Sequence, residues 1–205
     1  MAIVYPHDIV KVKEGVSLDT LFLPQWALER WQQSPYHVIR RAIVRDNEIP
    51  IGIRGTSRGE RFGCYIPIDW IEEIIRPQDL IVNQAWHHWA RADQFPEMFT
   101  TIETMADILT DIEWGIGGSL GYELTTGQAT ITDNSDLDII LYPSQKFSRE
   151  WANQWLSLSN HCAKKVDFQV ETAKGAFHLV EYARGNKEIL LKKIDGYSLA
   201  EDVWR

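Results

Sequence analysis

Short stretches of alternating apolar and polar residues dominate the first eighty positions. Ile9–Val12 reads as a strand, residues 37–45 as a second and residues 49–54 as a third. Asp46-Asn47-Glu48 supplies turn chemistry, so 37–54 is expected to be a hairpin. Pro24 leads into a short helix bearing Trp26, Leu28 and Trp31. Residues 55–63 are polar, basic and glycine-bearing, hence a loop. A short helix over 68–75 should end at Arg76-Pro77. Residues 1–80 are therefore predicted to form a small, mostly β module.

The period changes in the second half. Residues 81–95 look helical, and Pro96 starts a helix to about residue 110 whose face is Met98, Ile102, Met105 and Leu109. A strand over 112–117, a turn at Gly118-Ser119 and a short helix over 120–124 follow. A turn-rich segment then leads to a strand over 137–142. Phe147, Trp151, Trp155 and Leu158 mark an amphipathic helix. Residues 165–171 alternate as a strand, with Val166, Phe168 and Val170 on one face and Asp167 on the other. A short helix over 177–183 and a last strand over 188–193 complete an α+β domain spanning 81–205.

Composition narrows the class. The chain has 205 residues, 44% hydrophobic and 24% charged, long enough to bury a core in one large or two small domains. No apolar run approaches the roughly 18–20 residues of a membrane span, and the first eight residues lack the basic flank and apolar core of a signal peptide. Cys64 and Cys162 are isolated, which favours reduced thiols and a cytoplasmic protein. A net charge of −8 argues against a general nucleic-acid binder. That charge is uneven: residues 30–61 hold seven arginines against three acids, a net of +4, leaving −12 for the remainder. Such an island suits a discrete anionic ligand or an acidic protein partner, or else is a solvated sheet face.

The candidate chemistry sits later. Asp136 and Asp138 stand two apart at the head of a strand, where i and i+2 share a face. Two such carboxylates repel unless a cation lies between them, and hard divalent ions take carboxylate and phosphate oxygens together. Upstream, Gly117-Gly118-Ser119 offers backbone N–H groups and a hydroxyl, donors that cradle polyphosphate. If the strand of 165–171 lies beside that of 137–142, Asp167 completes a carboxylate triad.

In this order the elements resemble the nucleotidyltransferase superfamily: Gly118-Ser119 is similar to its GS element, Ser135-Asp136-Leu137-Asp138 to its DxD, and Asp167 to its third acid. A narrower resemblance rests on the run Trp114 to Gly127, which includes Gly-Tyr-Glu-Leu-Thr at 121–125, together with Pro6-His7-Asp8, residues 49–55 with Arg58 and Arg61, and Val180-Glu181-Tyr182-Ala183 followed by Leu190-Leu191-Lys192. These are similar to the holo-[acyl-carrier-protein] synthases of malonate decarboxylase, the phosphoribosyl-dephospho-CoA transferases. The resemblance implies a nucleotidyltransferase-like palm and two Mg²⁺ ions on Asp136, Asp138 and Asp167. It also implies transfer of the 2′-(5″-triphosphoribosyl)-3′-dephospho-CoA group to a serine of the apo acyl-carrier subunit. Gly118 and Ser119 would hold the leaving diphosphate. Lys192 is a further phosphate contact or a surface lysine. Arg54, Arg58 and Arg61 clamp donor phosphates or the acidic carrier, or form a solvated loop. Other acceptors, the citrate lyase carrier or a small-molecule hydroxyl, and a non-catalytic carrier-binding protein are the competing expectations.

Overall fold

Strand β1 (Ile9–Val12) lies inside the five-stranded sheet of the first of two units into which the chain divides, Met1–Arg76 and Pro77–Arg205. The computed structural model describes residues 3–55 and 59–204. Both units combine helices with antiparallel or mixed sheet, so the chain is α+β, with six α-helices among the described residues.

In the first unit β1 pairs with β2 (Tyr36–Ile39), β2 with β3 (Glu48–Arg54) and β3 with β4 (Arg61–Pro67), all antiparallel. Val10, Val12, Ile39, Ile49, Ile51 and Ile66 face a shared core closed by Ala27 of α1 (Gln25–Gln33), with Trp26 and Trp31 packed at its edge. The predicted strand over 37–45 stops at Ile39: the ladder to β3 pairs Val38 with Gly52 and Ile39 with Ile51, and ends with the Arg40 N–H donating to the Pro50 carbonyl at 2.9 Å. The predicted helix over 68–75 is instead a 3-10 turn, Ile68–Trp70, followed by strand β5 (Ile71–Ile75). Five residues gain more by pairing with the free edge of β1, Ile9 opposite Ile75 and Val10 opposite Ile74, than by closing one helical turn with costly ends.

The second unit is built on a six-stranded sheet. Helix α2 (Pro77–Val82) opens it, but the helix expected over 81–95 does not continue. Gln84 adopts φ 46°, a left-handed conformation that ends the helix, and two 3-10 turns, Ala85–His88 and Ala92–Gln94, take over. Helix α3 (Pro96–Ile108) buries Met98, Ile102 and Met105, as its periodicity requires. Strand β6 (Trp114–Ile116) runs antiparallel to β7 (Leu137–Leu141), with α4 (Gly118–Thr126) between them in the chain. Helix α5 (Arg149–Ser159), capped by the Ser148 hydroxyl accepting from Trp151 N–H at 3.2 Å, crosses over to β8 (Val166–Thr172), which is therefore parallel to β7. The chain returns through β9 (Gly175–His178), α6 (Leu179–Ala183), β10 (Ile189–Lys193) and β11 (Gly196–Ala200). The strand order is β11-β10-β9-β8-β7-β6. Neither β9 nor β11 was expected; Gly175 and Gly196, at φ 138° and 141°, make the sharp entries that each needs. Leu137, Ile139, Leu141, Phe168 and Val170 form one buried face. The alternating positions Asp138, Asp167 and Gln169 therefore line the other.

Candidate active site

Register brings the acids together. In the parallel β7–β8 pair Leu137 lies opposite Val166 and Asp138 opposite Asp167, so two carboxylates occupy adjacent positions on one sheet face. Asp136 lies one residue before β7, and the Lys165 ammonium ties it to the cluster. Lys165 Nζ donates to Asp136 Oδ2 at 2.9 Å and to Asp167 Oδ2 at 2.8 Å. Those bonds, the one to Asp167 first, push the ammonium above its ordinary pKa and keep it charged. Lys165 was not anticipated, although it stands two residues before Asp167 and so shares its face. Among the described residues no three His, Cys, Asp or Glu side chains are gathered as a ready metal-ligand group; as the side chains stand, the cation between Asp136 and Asp167 is this ammonium.

The glycine turn meets the same cluster. Gly117 N–H donates to the Asp138 carbonyl at 2.9 Å, fastening the turn to β7. Gly118 has φ 60°, and a Cβ there would fall 1.7 Å from Asp138 Oδ2. Both facts demand glycine, and together they press the Asp138 carboxylate against the start of α4. The first turn of that helix has backbone N–H groups without helical acceptors, the donor set that favours anions.

The segment joining α4 to β7 is ordered by Glu123, which is 2% exposed. Its carboxylate accepts from Trp89 Nε1 at 2.8 Å, from Arg91 Nη1 at 3.0 Å on both oxygens, and from the N–H groups of Thr130 and Ile131 at 2.7 and 2.8 Å. Burial alone would raise its pKa, but the Ile131, Thr130 and Trp89 bonds and the Arg91 charge outweigh that and lower it. Thr130 Oγ1 donates to the Ser119 carbonyl at 2.7 Å. Glu123 and Thr130 thus tie the middle of the 120–135 insert, residues 130 and 131, back to α4. The signal available in the sequence was a single acid inside an otherwise uncharged helix.

Lys192, on β10 opposite Ala176, reaches across that small residue, and its Nζ donates to Gln169 Oε1 at 2.8 Å. Gln169 is two residues beyond Asp167 on the same face, so Lys192 joins the acid-bearing surface. His178 lies opposite Gln169; burial, then the Lys192 ammonium, hold its pKa below the ordinary histidine value. Arg54 belongs to the first unit, where it ends β3, and Arg58 lies outside the described residues.

Both units match models of a single transferase. Residues 82–203 match "Phosphoribosyl-dephospho-CoA transferase MdcG C-terminal domain" and residues 5–77 the corresponding N-terminal domain. Curated relatives named phosphoribosyl-dephospho-CoA transferase include one from Pseudomonas syringae pv. tomato, 30% identical over 98% of this chain and 94% of its own length. Another from Klebsiella pneumoniae is 29% identical over 97% and 95%, and one from Azotobacter vinelandii 30% identical over 98% and 94%. No solved structure matches. The chain belongs to the phosphoribosyl-dephospho-CoA transferase family.

Proposed function

We propose that this protein transfers the 2′-(5″-triphosphoribosyl)-3′-dephospho-CoA group to a serine of the apo acyl-carrier subunit of malonate decarboxylase, as a cytoplasmic enzyme with a nucleotidyltransferase-like palm. The observation that carries the reading is the Asp138–Asp167 register across parallel strands, with Gly118 pressed on Asp138. The serine oxygen forms a bond to the phosphorus nearest the ribose as the bond to diphosphate breaks. The serine proton passes to solvent, and a phosphodiester links donor and carrier.

The all-oxygen donor set of Asp136, Asp138 and Asp167 suits Mg²⁺, and an ammonium already bridges two of its members. When bound, two Mg²⁺ ions supply charge neutralisation at the transferring phosphate and a more acidic attacking hydroxyl. Asp136, Asp138 and Asp167 would hold the metal, and Lys165 would have to give up its bonds to Asp136 and Asp167 for it. The Gly118-Ser119 turn and the first amides of α4 face the departing diphosphate, where preorganised donors act on developing charge. Lys192, steadied by Gln169, contacts donor phosphate from across the sheet face. Arg54 and Arg58 serve anion recognition from the amino-terminal unit.

Intact-mass measurement tests this reading. With the triphosphoribosyl donor and Mg²⁺, the apo carrier should gain the mass of the whole prosthetic group and release one diphosphate. Asp136→Asn, Asp138→Asn and Asp167→Asn should each lower the rate by at least about a thousandfold with folding retained. An unmodified carrier in the presence of verified donor rules the assignment out. Modification of the citrate lyase carrier, but not of this one, moves it to the other acceptor.

A further inference from the structure

The outward face of the β3–β4 hairpin in the first unit is lined with guanidinium groups. Arg54 and Arg61 are partners across the two strands, both exposed. Like charges directly opposite one another weaken a sheet. One pair further along, Gly52 faces Gly63, and the Arg40 side chain lies across both. A Cβ on Gly63 would fall 2.0 Å from Arg40 Nη1, and one on Gly52 3.3 Å from Arg40 Cγ. The next pair is Pro50 and Tyr65, with the Arg45 guanidinium 3.8 Å from the centre of the Tyr65 ring. Tyr65 Oη donates to the Ile43 carbonyl at 3.0 Å, tying Ile43, itself 58% exposed, beside the arginines.

Arg45 stands 4.0 Å from Glu48, whereas Arg40, Arg54 and Arg61 have no carboxylate partner among the described residues. An anion brought from outside would relieve the like-charge opposition at Arg54 and Arg61. We propose that this face docks an acidic protein surface, that of the carrier acceptor; the identity of the acceptor rests on the function proposed above.

Shape selects a protein over a lone phosphate. The cations spread along four residues of strand, about 13 Å at roughly 3.3 Å per residue. They lie on a flat floor of paired glycines, whereas a single phosphate is held by converging donors. Arginine and tyrosine next to exposed aliphatic groups is the composition of interface hot spots. Against a net −12 on the rest of the chain, this island is where the charge balance favours an acidic partner.

Isothermal titration of the full chain with the apo carrier subunit, in the absence of donor, tests the proposal. Binding should weaken with added salt, and the double variant Arg40→Glu, Arg61→Glu should weaken it by at least about tenfold. In the transfer assay the same variant should raise the carrier KM by a similar factor while the donor KM moves by less than about twofold. Arg40→Gln with Arg61→Gln, lacking the reversed charge, should fall between, and its melting temperature separates charge from folding. Unchanged carrier binding overturns the proposal. So does a rise in donor KM in place of carrier KM, which would give the face to the donor's phosphates. Charge-dependent carrier binding without any transfer would sink the proposed reaction and leave the docking surface standing. Transfer that is indifferent to the double variant would do the reverse.

Discussion

Gly118 and Asp138 are fitted to one another: the glycine's missing Cβ is the space that the aspartate's Oδ2 occupies, 1.7 Å from where that carbon would stand. The contact joins the turn before α4 to the acid-bearing strand more directly than any sequence spacing indicates.

Gly118→Ala should therefore damage both fold and chemistry. The left-handed φ of 60° adds about 1–2 kcal/mol of strain for any residue with a Cβ. Displacing the Asp138 carboxylate by even an ångström should lower the transfer rate by at least about a hundredfold. Rate and melting temperature measured on the same preparation check this; wild-type turnover would show that the close fit is not needed.

Lys165→Ala exposes the cation requirement of the acids. Without the ammonium that bridges them, Asp136 and Asp167 repel, and at the proposed metal site a divalent ion would then meet no competing cation. The Mg²⁺ concentration giving half-maximal rate should fall several-fold in a titration of initial rates. A higher requirement would mean that Lys165 assists the ion or the phosphate and does not compete with it.

Glu123→Ala strands a cation and three other donors in a buried site. Loss of one partner of a buried pair costs about 3–5 kcal/mol, and urea unfolding should register a loss of that order. Glu123→Gln keeps some acceptor capacity and should be intermediate. Because the folded-state pKa of Glu123 is lowered, its stabilisation is present above the ordinary carboxylate pKa and is lost as pH falls through the folded value.

His37 sets a second pH dependence, in the first unit. Burial pulls its pKa from 6.5 to about 4, its Nε2 has no hydrogen-bond partner, and its ring lies 4.1 Å from that of Trp31. Between these values the unfolded chain takes up a proton that the folded chain refuses. Stability is therefore full above about pH 6.5 and declines toward pH 4 by about 3 kcal/mol in all. Denaturant unfolding followed by tryptophan fluorescence at pH 7.5 and 4.5 should show this decline, and His37→Phe should flatten it.

Much of this molecule is legible in its residues because local signals agree with long-range ones. Met98, Ile102 and Met105 repeat at helical spacing and are buried together; the alternation at 166–170 is a strand. What escaped depends on partners. Residues 71–75 become a strand because β1 has an edge to fill, and no property of those five residues alone reveals that edge. Residues 177 and 178 read as the start of a helix until β8 and β10 flank the segment 175–178 as a strand. At the site, the GS turn, the acid pair and Asp167 can be named from order and spacing. The Lys165 bridge and the reach of Lys192 over Ala176 require the strand register itself. Glu123 was hidden because a buried carboxylate looks like any other glutamate until its donors surround it.

The parallel pairing of β7 and β8 through α5 has a consequence for biosynthesis. A ribosome-bound or clipped chain that ends before β8 already holds the glycine turn, Asp136 and Asp138, but has neither Asp167 nor the strand that aligns it. On the proposed carboxylate triad such a fragment lacks one of its three acids, so the proposed reaction has to wait until the crossover helix has docked and β8 has paired in register with β7.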